Sequence, residues 1–118
     1  MQYLLLIYSD EKAGANASKE EMDAWMGEYL AYTEAIQKSG AYKGGEALHP
    51  TSAATTVRVQ NGKKLTTHGP FAETKEQLGG YYLVDCKNLD EAIEWAAKCP
   101  GARVGSIEVR PIMDFSQA

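Results

Sequence analysis

The stretch His68-Gly69-Pro70-Phe71-Ala72-Glu73-Thr74-Lys75-Glu76 brings an imidazole, two carboxylates and an ammonium together in one short segment. Histidine titrates near neutrality, and a lysine flanked by carboxylates can anchor an anion or tune a proton donor. His68, Glu73 and Lys75 are therefore the candidate catalytic groups, suited to general acid–base work or to holding a small anionic ligand. An ordinary solvated charge run would use the same residues, and salt bridges from Glu73 or Glu76 to Arg58 or Arg110 would explain them without any ligand.

Further polar groups occur at alternating positions. Arg58 lies between Val57 and Val59, and Glu108 and Arg110 alternate with Ile107 and Val109, so on extended backbone each polar set faces away from its apolar neighbours. Tyr8 and Tyr81 stand at strand ends, where their hydroxyls can meet a ligand or cap a core. Tyr8, Arg58, Glu76, Tyr81, Glu108 and Arg110 are accordingly the candidate ligand-binding residues. His49 before Pro50 reads as a polar loop residue. The chain carries no Ser–His–Asp order, phosphate loop, dinucleotide fingerprint or metal-ligand spacing; no metal and no cofactor is expected.

These residues need a scaffold, and the apolar pattern supplies one. Tyr3 to Tyr8 is almost continuously apolar, as in a central strand. Ser18 with Glu21 makes a capping box, and Met22, Trp25, Met26, Tyr29, Thr33 and Ile36 then recur at helical spacing as one stripe expected to pack on a sheet, with Gly40 as the stop. Residues 41–50 admit a second strand broken near Pro50. Thr56–Gln60 and Lys63–Thr67 flank Asn61-Gly62, the dipeptide of tight hairpin turns. A strand is expected over Gly80–Asp85. Asn88 and Glu91 open a second helix with Leu89, Ala92, Ile93 and Ala96 inward, closed by Pro100 and Gly101, and Ser106–Ile112 is the last strand, placed at a sheet edge by Pro111.

This order predicts an α+β chain of one domain over residues 1–118: a ferredoxin-like βαβ…βαβ antiparallel sheet with both helices on one face and an inserted β-hairpin. The other sheet face needs a cover, and a second copy packed sheet to sheet gives a homodimer with an enclosed space for a ligand. A net charge of −4, with 12 basic and 16 acidic residues, argues against nucleic acid, which is held largely by clustered cations. No apolar tract is long enough to cross a bilayer, and no membrane partner is expected. Cys86 and Cys99 bracket a helix and read as free thiols, which with the absence of a signal peptide points to the cytoplasm.

The chain resembles the YCII-related family, in the branch known for its DGPF motif. The resemblance rests on Ala54-Thr55-Thr56-Val57-Arg58, on Gly69 to Glu76, on Gly79-Gly80-Tyr81-Tyr82 and on Glu108-Val109-Arg110-Pro111-Ile112, and spans nearly the whole length. It implies a dimeric α/β barrel. For function it implies a small-molecule site with possible acid–base catalysis, a regulatory module linked to sigma-factor-type transcription control, or a cofactor-free barrel monooxygenase. The aspartate that names the motif is His68 here, which removes any carboxylate role at that position.

Overall fold

The computed structural model describes residues 1–117. Eight apolar-rich residues at the start form β1 (Gln2–Ser9), which lies inside the main sheet between an antiparallel neighbour on each side. Helix α1 (Lys19–Ser39) begins at the expected box: Ser18 Oγ accepts from the Glu21 backbone N–H at 3.1 Å, and the Glu21 carboxylate accepts from the Ser18 N–H. It ends at Gly40 in the left-handed conformation. The chain returns as β2 (Tyr42–Ala47) and then forms a hairpin, β3 (Thr55–Gln60) and β4 (Lys63–His68). Asn61 and Gly62 turn it with φ of 53° and 75°, the left-handed pair that matches the twist of the flanking strands.

Strand β5 (Gln77–Asp85) starts three residues before the expected Gly80, and α2 (Leu89–Lys98), capped by Asn88, leads to edge strand β6 (Ser106–Pro111). The four-stranded sheet has the order β2-β5-β1-β6, all antiparallel, which is the ferredoxin-like arrangement with the hairpin inserted between β2 and β5. The fold class read from the sequence therefore holds. No helix among the described residues is long and apolar enough to cross a membrane.

Alternation along the strands sorts the sheet into two faces. Tyr3 and Leu5 of β1 and Val84 of β5 meet Tyr32 and Ile36 of α1 and Ala92 and Ala96 of α2, and all seven are buried. Tyr32 ties the layers together by donating to the Trp95 carbonyl at 2.7 Å. Cys86 and Cys99 are free thiols buried in this core. On the opposite face Leu4, Leu6, Tyr8, Tyr81 and Leu83 are only half-buried.

Two core expectations need correction. Met22 and Met26 are 55% and 61% exposed, and burial on α1 is confined to Tyr32 and Ile36, the first of which lay outside the expected stripe. Opposite Met26 the glycines are the cause: Gly45 on β2 and Gly80 on β5 send no side chains up toward the helix, so the stripe there has nothing to pack against. On α2, Leu89 and Ile93 remain about half exposed while the small Ala92 and Ala96 make the contact.

The hairpin forms a separate two-stranded sheet. Its base is fastened by the Gly69 N–H donating to the Ala54 carbonyl at 2.7 Å and by Thr56 Oγ1 donating to the Gly69 carbonyl at 2.8 Å. Beyond the base, Val57 and Val59 are 57% and 71% exposed. A radius of gyration of 16.5 Å exceeds the roughly 13.5 Å of a compact chain of this length, consistent with an arm that stands off the main sheet.

Candidate functional site

The space left by the glycines is a cavity of about 360 Å³ between the first half of α1 and the end of the sheet where β2 and β5 meet. Its floor includes Gly45, Gly79, Gly80 and the backbone of Tyr81, whose side chain faces the other side of the sheet with Leu6, and its walls are Trp25, Met26 and Tyr29 from α1 and Tyr82 from β5, with Gly101 and Val104 closing one side. The backbones there are tightly packed: a Cβ at Gly45 would lie 2.8 Å from the Tyr81 carbonyl and one at Gly80 2.9 Å from the Glu46 carbonyl. Trp25 packs edge-on against Tyr29, with centroids 5.5 Å apart, and the Arg103 guanidinium lies 5.6 Å from the Trp25 ring centre while pairing with Glu28 at 2.7 Å. That stack holds the aromatic wall upright.

Tyr29, Thr33 and Tyr82 bring hydrogen-bonded hydroxyls to this lining, which also includes Ser9 and Tyr42. Thr33 Oγ1 contacts the Tyr29 carbonyl at 2.8 Å and Tyr82 Oη at 2.6 Å. Tyr29 Oη accepts from the Gly101 N–H at 3.1 Å and from the Cys99 thiol at 3.6 Å. Burial holds the Tyr29 phenol well above its ordinary pKa, and the neighbouring Cys99 adds to the effect. Burial raises the Tyr82 phenol as well. Both are neutral donors and acceptors at physiological pH.

The residues singled out by chemical type lie elsewhere. His68 ends β4 opposite Thr55 and is exposed, and Arg58 is exposed on β3. Glu73 and Lys75 are exposed in the connection between hairpin and β5. Glu76 is half-buried, its carboxylate accepting from Ser106 Oγ at 2.8 Å, while Gln77 accepts from the Glu11 N–H at 2.9 Å. Thr74 Oγ1 donates to the Glu76 carbonyl at 2.6 Å, so this end of the loop is fixed to the sheet. None of the expected bridges from Glu73 or Glu76 to Arg58 or Arg110 is among the ion pairs of the described residues.

A second grouping is real. Tyr81 and Glu108 both lie beside Leu6 in register, and Arg110 lies beside Leu4, so Tyr8, Tyr81, Glu108 and Arg110 share the open face of the sheet. Of the nine residues picked from the sequence, Tyr81 alone also lines the cavity. Trp25, Tyr29, Thr33 and Tyr82 were missed as site residues. The available signal was the pairing of an aromatic stripe on α1 with Gly44-Gly45 and Gly79-Gly80, which leaves that stripe without a floor. The described residues hold no cluster of His, Cys, Asp or Glu arranged to grip a metal ion.

Comparison with known proteins fits this architecture. A model of the YCII-related domain matches residues 1–116. An uncharacterized protein of Rhizobium meliloti is 42% identical over 114 residues, covering 95% of this chain and 92% of that one. Among solved structures, 5-chloro-2-hydroxyhydroquinone dehydrochlorinase from Burkholderia phenoliruptrix, in complex with 2,5-dihydroxybenzoquinone, aligns with a TM-score of 0.54 over 99% of this chain and 98% of that one at 14% identity. That likeness is one of fold.

Proposed function

We propose, for a chain that belongs to the YCII-related family, a homodimer that binds a small flat cyclic molecule in the cavity beneath the first half of α1. The observation that carries this reading is the cavity: about 360 Å³, within the range of small-ligand sites, aromatic on its walls and supplied with hydroxyls. Aromatic faces favour flat apolar rings, and the hydroxyls orient them. The dehydrochlorinase of similar fold is itself complexed with a flat ring. The dimer is supported by the half-buried open face around Leu4, Leu6 and Leu83 and by the exposed valines of the hairpin, surfaces that a second copy would take out of water.

A second reading places an anionic ligand between the two sheets of that dimer. It is favoured by the shared face of Tyr8, Tyr81, Glu108 and Arg110. Arg58 and Lys75 would add positive charge, Glu76 would hold the loop in place, and His68 or Glu73 would move a proton.

Calorimetric titration of the full-length protein with meta-ethylphenol and, separately, with benzoate distinguishes the two. The cavity reading expects meta-ethylphenol to bind and Trp25→Ala to weaken it about tenfold through loss of an aromatic wall, with Arg110→Ala and Lys75→Ala unchanged. Binding of benzoate alone, lost in Arg110→Ala or Lys75→Ala, would move the site to the open face.

A further inference from the structure

The hydroxyls of the cavity do not offer donors and acceptors at random, because each carries a single proton. Thr33 lies within its own helix, and its Oγ1 can reach the Tyr29 carbonyl, 2.8 Å away, only as the donor, since a carbonyl oxygen has no proton to give. With that proton engaged, the 2.6 Å contact between Thr33 Oγ1 and Tyr82 Oη has one direction: Tyr82 donates and Thr33 accepts. The Tyr82 oxygen keeps its lone pairs and has no further proton to give. It is an acceptor.

Tyr29 is set the opposite way. Its oxygen already receives the Gly101 N–H at 3.1 Å and the Cys99 thiol at 3.6 Å, and among the described hydrogen bonds its own proton has no oxygen or nitrogen acceptor. The one rival for that proton is the Cys99 sulfur, a weak acceptor that a ligand oxygen would displace. Gly101 holds this arrangement by its size, since a Cβ there would stand 2.7 Å from Tyr29 Oη. Burial keeps both phenols protonated, so the two roles do not exchange near neutral pH.

We infer that the cavity selects a flat ring bearing both a neutral acceptor oxygen, such as a carbonyl, and a hydroxyl: Tyr29 donates to the first and Tyr82 accepts from the second. This rests on the cavity reading above and sharpens it from a ring of any kind to a hydroxylated ring carbonyl compound. Rings with only a carbonyl or only a hydroxyl make half of the polar contacts, and a hydrocarbon ring makes neither.

The test is a cycle of ligands against variants on the full-length protein, followed by calorimetry. The probes are meta-hydroxyacetophenone, meta-methylacetophenone and meta-ethylphenol, which carry both groups, the carbonyl only and the hydroxyl only. The wild type is expected to bind the first about five- to tenfold more tightly than either of the others, the usual worth of one hydrogen bond. In Tyr29→Phe the advantage conferred by the carbonyl disappears and that of the hydroxyl persists; in Tyr82→Phe the pattern reverses. Melting curves verify that both variants are folded, and each tests its own half of the pattern if the other is not. Binding of all three probes with no such selectivity overturns this inference and leaves the cavity reading standing. Failure of all three to bind overturns both.

Discussion

The two faces of the sheet are made by the same strands and end in different states. Tyr3, Leu5 and Val84 point to the helices and are 3%, 1% and 0% exposed, while Leu4, Leu6 and Leu83, one position along, point to the open face and remain half-buried. The helix face completes itself within one chain, except where glycines leave the cavity. The open face has equally apolar residues and no layer above it. Apolar content in a strand thus indicates that a face will be covered, while the identity of the cover depends on the other elements of the fold.

The sharpest break in this comparison comes from truncating one residue on each face. Leu5→Ala should cost about 2–5 kcal/mol of unfolding free energy, the usual range for emptying a closed core, and Leu6→Ala clearly less in a dilute monomeric sample; urea melts of the two side by side check the order. Equal losses would mean that the open face is as well packed as the core.

Alkali probes the helix face alone. Burial pushes the Cys86, Cys99, Tyr32 and Tyr29 acids up from ordinary values of 9.0 for the thiols and 10.0 for the phenols. The unfolded chain therefore gives up these protons first, so the stability linked to them is complete below about pH 9 and falls progressively above it. Denaturation midpoints measured upward from neutrality should decline from there, and Cys99→Ala should lessen the decline. A midpoint independent of pH across that range would show that these groups are wet in the native protein.

Smaller effects follow at the layer contact and the surface. Tyr32→Phe removes the hydrogen bond to the Trp95 carbonyl and should cost about 1 kcal/mol. Ser18→Ala removes the helix cap and should cost about the same or slightly less. Lys75→Ala, in an exposed position with no ion pair among the described residues, should shift the urea midpoint by an amount equivalent to no more than about 0.5 kcal/mol. A larger loss there would place Lys75 in a contact made by a second copy.

Much of the scaffold was legible because local signals agreed with the global arrangement. The Ser18–Glu21 box, the Gly40 stop, the Asn61-Gly62 turn and the Asn88 cap each mark a backbone event that the residue types cause directly, and Pro111 marked the edge strand. The cavity beneath α1 was not legible from residue chemistry. Trp25, Met26 and Tyr29 obey the same spacing as core residues, and nothing local to α1 says that Gly45 and Gly80 will lie beneath them, because that depends on β2 and β5 becoming neighbours across a long separation in sequence. Conversely His68, Glu73 and Lys75 attracted attention by functional-group density, and density carries no information about convergence. The shared face of Glu108 and Arg110 was readable since strand alternation is a local rule.

Backbone amide chemical shifts of the intact protein, followed by NMR during titration with meta-hydroxyacetophenone, test the central claim most directly. Binding beneath α1 should move the amides of Gly45, Gly79, Gly80 and Gly101, which line the cavity, with the 69–76 loop and β6 little changed. Shifts concentrated at Lys75, Glu108 and Arg110, with those four glycines silent, would contradict it and place the ligand on the open face of the sheet.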